Sequence, residues 1–518
     1  MRVRVLWVVT LCLAAAWPAL AQGPGPDWQP VYLDEPGICE GGLICGPSGA
    51  LIVDTFPTIA DVDWAAFPTN PTRPYTPAPG GRFWFVATDG DDAAPGDESA
   101  PLRTLDRAVE LARSGDVILV RDGEYPIGLN DDSLILDTPG VVLAAEHVGG
   151  VTLVPRSEEW AWLSAIVARA DDLVIDGFVI RGFSRGYGIL FGRLESPQHN
   201  LVLRHLRIED ASDGIRSAIP EGAVNPQPVI EGLRLYDVAL REIDTVGFNC
   251  GEGPCDDVRI DSLSIAMPTS GSGENSYSDG VAIENGDNTV VFSAEISGLG
   301  SDGLDFKGTR VAVANVIVHD VARNGIKFWQ DGDVINALVY NTGADAAIVF
   351  DGGGSYRILN SVIARHAVGE SAYAGTIAYD HPDEPGTLAV INSIFYQNAG
   401  ALWVSGAFAL DVQYSLFYGS SNGEELIWAL PEAIAVGEGE APVETLEAAG
   451  GGCCLLPFTD PGFAAPDQGD YTLLPGAYGR DRGVSDGVEA LPPFDLLGRP
   501  RIAGGEIDLG PYEMPVDG

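Results

Sequence analysis

Only two of the 29 basic residues are lysines, Lys307 and Lys327. Both sit in "SDGLDFKGTRVAVANVIVHDVARNGIKFWQ", residues 301–330, beside Asp302 and Asp305. Lysine offers what arginine cannot, a proton that can be lost near neutral pH. At its reference pKa only about 0.04% of a lysine is neutral at pH 7. A neighbouring divalent cation raises that fraction, because it disfavours a second positive charge. A lysine beside such a cation is therefore a candidate general base, and nearby carboxylates are candidate ligands. Ca²⁺ takes about six to eight oxygens and would relieve the repulsion between stacked carboxylates. The plainer alternative is a surface ladder of Lys–Asp pairs. Asp before Gly is also common at turns, where Asp fits the bend and Gly accepts a positive φ.

The positions of these residues come from a repeat. Short apolar strands recur from about residue 172, as in "LVIDGFVIRGFSRGYGILFG", "TVVFSAEISGLGSDGLDFKG" and "VAVANVIVHDVARNGIKFW". Gly280, Gly303 and Gly325 lie 23 and 22 residues apart. A period of this size is the mark of a solenoid. Its β-branched strands and intervening turns point to an all-β, right-handed parallel β-helix with coils of about 22 residues. Ile283, Phe306 and Phe328 would form one inward column. Asp279, Glu284, Asp302, Asp305, Lys307, Lys327 and Trp329 would share the outward face, with neighbouring coils about 4.8 Å apart. On this alignment Lys327 is the base. Asp279, Asp302 and Asp305 would converge as metal ligands, with Ser301 beside them. Lys307 would pair with Glu284 or with a substrate carboxylate. Trp329 would be a sugar platform or a hydrophobe under a loop. Arg216, Arg310 and Arg323 could each stabilise negative charge on a substrate.

Outside the repeat the chain divides as follows. Residues 1–21 carry Arg2 and Arg4, an apolar run and "ALA", the pattern of a secretory signal peptide. Residues 22–80 are a Pro/Gly-rich extension, 81–430 the β-helix and 431–518 a C-terminal cap or tail. "LRTLDRAVELARSGD" predicts a short capping helix that starts after Thr104 and ends at Gly115. "EELIWALPEAI" predicts a helical insertion. The net charge is -45. Removing residues 1–21 takes away two arginines and no acids, leaving -47. That charge opposes binding to nucleic acid or anionic lipid. No stretch is long and apolar enough to span a membrane. Six cysteines follow the signal, and the close pairs Cys39/Cys45 and Cys250/Cys255 suggest local disulfides. A secreted bacterial protein, periplasmic or at the cell surface, acting as a monomer, is expected.

Residues 85–125, "FVATDGDDAAPGDESAPLRTLDRAVELARSGDVILVRDGEY", resemble the N-terminal coil of secreted β-helix proteins of the pectate-lyase type. The ending "FDLLGRPRIAGGEIDLGPYE" resembles that of bacterial right-handed β-helix proteins, including those grouped as choice-of-anchor. "SDGVA", "SDGLD" and "NGIKF" resemble the site elements of family-nine polysaccharide lyases, which are calcium-dependent. That resemblance implies Ca²⁺ on Asp279, Asp302 and Asp305, Lys327 as base, and β-elimination on an acidic polysaccharide. Ser301 stands where that family has a second consecutive Asp. The alternatives are a glycoside hydrolase using paired carboxylates and a non-catalytic glycan-binding or adhesion protein. The Gly-His-Gly element of polygalacturonases is absent, and "DHPD" at 380–383 reads as a loop.

Overall fold

The computed structural model describes residues 37–38, 44–45, 75–193, 196–218, 229–251, 253–267, 278–343, 345–367, 375–379, 386–399, 402–404, 408–419, 425–429, 432–435, 459–485, 491 and 494–515. The expected signal peptide, nearly all of the extension, Cys39, Cys453, Cys454 and the "DHPD" loop lie outside these residues. The chain forms two compact units, whose described parts are residues 75–287 in the first and residues 37–38, 44–45 and, with gaps, 288–515 in the second.

In the first unit, parallel strands stack coil on coil. Phe83–Val86 pairs with Val117–Val120, which pairs with Val142–Ala145. Leu173–Asp176 continues the stack onto Gln198–Ser217, then Ile230–Ile243 and Cys255–Ala266. The expected helix is present but shorter, Leu105–Leu111, with the Thr104 side chain accepting from the Arg107 backbone N–H. It buries Leu105 and Ala108. Among the described residues no helix is long and apolar enough to cross a membrane. Cys250 and Cys255 are joined by a disulfide.

In the second unit, Leu304–Phe306, Ile326–Phe328, Ala346–Phe350, Gly375–Tyr379, Leu402–Val404 and Glu425–Ala429 form one parallel stack. The protein is thus a parallel β-helix. Asp305 faces Lys327 and Lys327 faces Val349, two steps of the expected 22 residues. Other steps are longer: Val349 faces Ala378, and Val174 in the first unit faces Val202. The extra residues lie between the paired strands, and the stack continues past them. Phe306, Phe328 and Phe350 stack inward at 5.9 and 6.0 Å and are fully buried. Burial of each contributes about 2–3 kcal/mol.

"EELIWALPEAI" is not helical. Glu425–Ala429 and Glu432–Ala435 are strands, paired antiparallel. Stacking on Leu402–Val404 supplies tertiary hydrogen bonds that outweigh local helix preference. Pro431, lying between the strands, lacks the N–H that a continuing helix would need.

Two features hold the second unit together. Two bends per coil place a residue in the left-handed region, and Asn315, Asn336, Asn360 and Asn392 fill the first of them. Asn tolerates that conformation better than most residues. The stacked amides bond in pairs: Asn336 donates to Asn315, and Asn392 donates to Asn360 at 3.0 Å. The C-terminal segment then packs alongside these coils. Phe463, Tyr471, Leu473, Leu496, Leu509 and Tyr512 join Leu338, Val362, Ile394 and Leu416 in one core. Buried Arg501 donates to the Asn336 side-chain oxygen Oδ1, and Asn360 donates to the Asp508 and Gly510 backbone carbonyls.

Candidate functional site

Gly303 and Gly325 shape the coils that carry the two lysines, for a different reason from the one the turn pattern suggests. Neither is among the residues with positive φ. A Cβ on Gly303 would lie 2.4 Å from the Gly325 carbonyl oxygen, and one on Gly325 would lie 2.6 Å from that of Ala347. Glycine is needed because successive coils approach so closely. Asp302 and Asn324, the residues just before these glycines, bind each other. The Asp302 carboxylate accepts from the Asn324 backbone N–H at 3.1 Å and from its side-chain amide at 2.9 Å. The Asn324 side-chain carbonyl accepts from the Ala346 N–H at 3.0 Å, which extends the chain to a third coil. Ser301 is buried, and its carbonyl accepts from the Arg323 N–H.

On the strands that follow, Asp305 and Lys327 stand in register on adjacent coils. Lys307 Nζ lies 4.0 Å from Asp305 Oδ2, and Lys327 Nζ lies 3.7 Å from Asp351 Oδ2. Both ammonium groups face the Trp329 ring, at 5.2 and 4.8 Å from its centroid, within cation–π range. Asp305 and Asp351 are mostly shielded, whereas the two lysine side chains are 26 and 18% exposed. The site therefore presents amines, with carboxylates behind them. Arg323 makes two hydrogen bonds to Asp345, at 3.0 and 2.8 Å.

The first unit holds the remaining sequence candidates. Arg216 Nη1 donates to Asp213 at 2.6 Å and its guanidinium lies over the Tyr187 ring at 5.5 Å. Burial raises the Asp213 carboxyl above its usual range, although Arg216 pulls it down. Asp279 is half-buried, and its carbonyl accepts from the Gly247 N–H at 3.0 Å. In each unit the acids described above bind neighbouring side chains or backbone. Among the described residues no three His, Cys, Asp or Glu side chains group as metal ligands. A Ca²⁺ ion would have to draw Asp302 from Asn324 and displace an ammonium from Asp305, so the observed arrangement does not fit a resident calcium.

Asn324 and Asp351 are partners that the sequence pattern did not single out. Asn324 lies in the same column as Asp302, and Asp351 in the same column as Trp329, so the repeat alignment held the signal for both. A second cluster, in the first unit, gave no such signal. Asp176 accepts from Tyr75 at 2.6 Å and from Arg204 at 3.0 Å, and bonds His205 at 2.6 Å. Desolvation works to raise this carboxyl, but His205 and Arg204 hold it below its ordinary value.

Residues 88–135 match the family described as "Protein of unknown function (DUF1565)". No curated protein matches. Among solved structures, pectate lyase Pel9A is 13% identical with a TM-score of 0.43, over 83% of this chain and 96% of that one. The Dettilon tailspike protein is 13% identical with a TM-score of 0.42, over 67 and 68%. The A-module of Azotobacter vinelandii mannuronan C-5 epimerase AlgE6 is 13% identical with a TM-score of 0.39, over 62 and 88%. The activities in those names are those of the neighbouring proteins.

Proposed function

We propose that this protein acts outside the cytoplasm on a uronate-containing polysaccharide and cleaves it by β-elimination, with Lys327 as the base. The observation that supports this reading is the placement of the chain's only two lysines. Both are part-exposed on one rigid parallel stack, and both are directed at one indole. Lys307 would engage the sugar carboxylate, offsetting its charge and so acidifying the proton on the adjacent carbon. Neutral Lys327 would accept that proton. The freed electron pair forms a carbon–carbon double bond, the glycosidic C–O bond breaks, and the leaving oxygen takes up a proton. Trp329 would carry the sugar ring.

The deciding test incubates purified protein with polygalacturonate, rhamnogalacturonan, alginate and glycosaminoglycans, and follows the ultraviolet absorbance of unsaturated uronate. A rise that Lys327→Ala abolishes is expected. New reducing ends without that absorbance would identify a hydrolase, and no turnover on any substrate would leave a binding protein. Either result overturns the lyase reading.

A further inference from the structure

The first unit contains a groove that the lysine site does not use. Its volume is about 940 Å³, at the upper end of the ~300–1,000 Å³ typical of ligand clefts. The stack positions its walls: segment 154–161 forms one side, and the strands Gln198–Ser217 and Ile230–Ile243 of later coils supply Glu209, Asp210 and Glu242. Glu158 and Glu159 line it as well. Its two arginines are already engaged. Arg185 donates to the Glu158 carbonyl at 2.6 Å, and Arg181 pairs with Glu124 at 2.9 Å. Carboxylates therefore dominate the groove, and of these Glu209 already accepts from Arg207 Nε through one oxygen. Asp244 is close enough to respond: partial burial and the charge of Asp210 both raise its carboxyl.

An exposed aromatic adjoins the lining segment in sequence. Trp162 follows the groove residue Ala161 and is 54% exposed. The Arg185 N–H donates to the Ala161 carbonyl at 3.1 Å, and Gly186 packs against the Trp162 backbone so closely that a Cβ would come within 2.7 Å of it. These contacts fix Trp162 beside Arg185. Its ring lies 5.9 Å from that of Trp160, which Arg156 covers at 3.9 Å. An indole pair with an exposed outer member, next to a polar cleft, gives a flat apolar face beside a set of hydrogen-bond acceptors.

We propose that this groove is a saccharide-binding site for an uncharged oligosaccharide, with one sugar stacked on Trp162 and its neighbours donating hydroxyl hydrogens to Glu209, Asp210 and Glu242. Sugar hydroxyls suit carboxylate acceptors, and charge-assisted bonds of this kind are the stronger class. An anionic sugar would be repelled by the five carboxylates, so the groove and the lysine site select different glycans. This inference stands apart from the lyase reading.

The test is calorimetric titration of the full chain with uncharged hexasaccharides (cello-, xylo- and galacto-series), with hexagalacturonate and with the chitosan hexamer, at low and high salt. An uncharged hexasaccharide should bind with an affinity that salt does not change. Trp162→Ala, and Glu209→Gln combined with Glu242→Gln, should each weaken it about tenfold or more. Lys327→Ala should leave it unchanged. The proposal is overturned if no uncharged hexasaccharide binds, or if both groove variants bind as well as the parent. It is also overturned if Lys327→Ala abolishes binding, or if only the chitosan hexamer binds and salt removes it.

Discussion

The second unit repeats polar residues on two faces, and they are used in opposite ways. On the bend face, Asn315, Asn336, Asn360 and Asn392 are at most 1% exposed. Their amides bond one another, Arg501 and the carbonyls of the C-terminal segment. On the lysine face, opposite charges stand 3.7–4.0 Å apart, beyond ordinary hydrogen-bond length. Polar groups closed on each other make architecture. Part-exposed ammonium groups on the strands can be reached by a third party, such as a sugar carboxylate.

Substitutions on the two faces should therefore separate cleanly. The largest effect expected is from Lys327→Ala, which should lower the elimination rate by about 1,000-fold while leaving the circular dichroism spectrum and thermal midpoint nearly unchanged. A large fall in the midpoint would place Lys327 with the structural residues. Arg501→Met should do the reverse. It removes a buried cation from among Asp495, Asp508 and Glu513 and should cost about 3 kcal/mol, read as rapid proteolytic loss of the C-terminal segment.

His366 sharpens the comparison through pH. It is buried, lies 3.0 Å from Thr342 Oγ1, and its Nε2 has no hydrogen-bond partner among the described residues. Burial lowers its pKa to about 4, against 6.5 ordinarily. The unfolded chain thus binds the proton first as pH falls. The stability associated with the neutral ring is complete above about pH 6.5 and is lost as pH drops through 4, about 3 kcal/mol in all. Denaturant titrations between pH 7 and 4 should show this slope, and His366→Gln should flatten it. The smallest expected effect is at Asn360, whose φ is +45°. Asn360→Ala should cost about 2 kcal/mol and Asn360→Gly less. Equal costs would mean that the hydrogen bonds to Asp508 and Gly510, not the backbone conformation, set the requirement.

Much of this was legible in the sequence. The parallel β-helix, the Phe306–Phe328 column and the Asp305–Lys327 register follow from periodicity, because a stacked coil places each residue on its equivalent one repeat away, and the Thr104 cap follows from its place before an amphipathic run. The strands at 425–435 were not legible, since a short apolar run reads equally well as helix until its neighbour is known. Nor was the reason for Gly303 and Gly325, which depends on a backbone approaching from the next coil. The partners also belonged to tertiary structure. Which atom Asp302 binds, which carboxylate sits behind Lys327, and how Arg501 reaches Asn336 from 165 residues away are matters of distance in space, and distances below the length of one side chain are set by packing. The sequence alone determined the repeat and the residues it lines up; only the folded chain decided which of them touch.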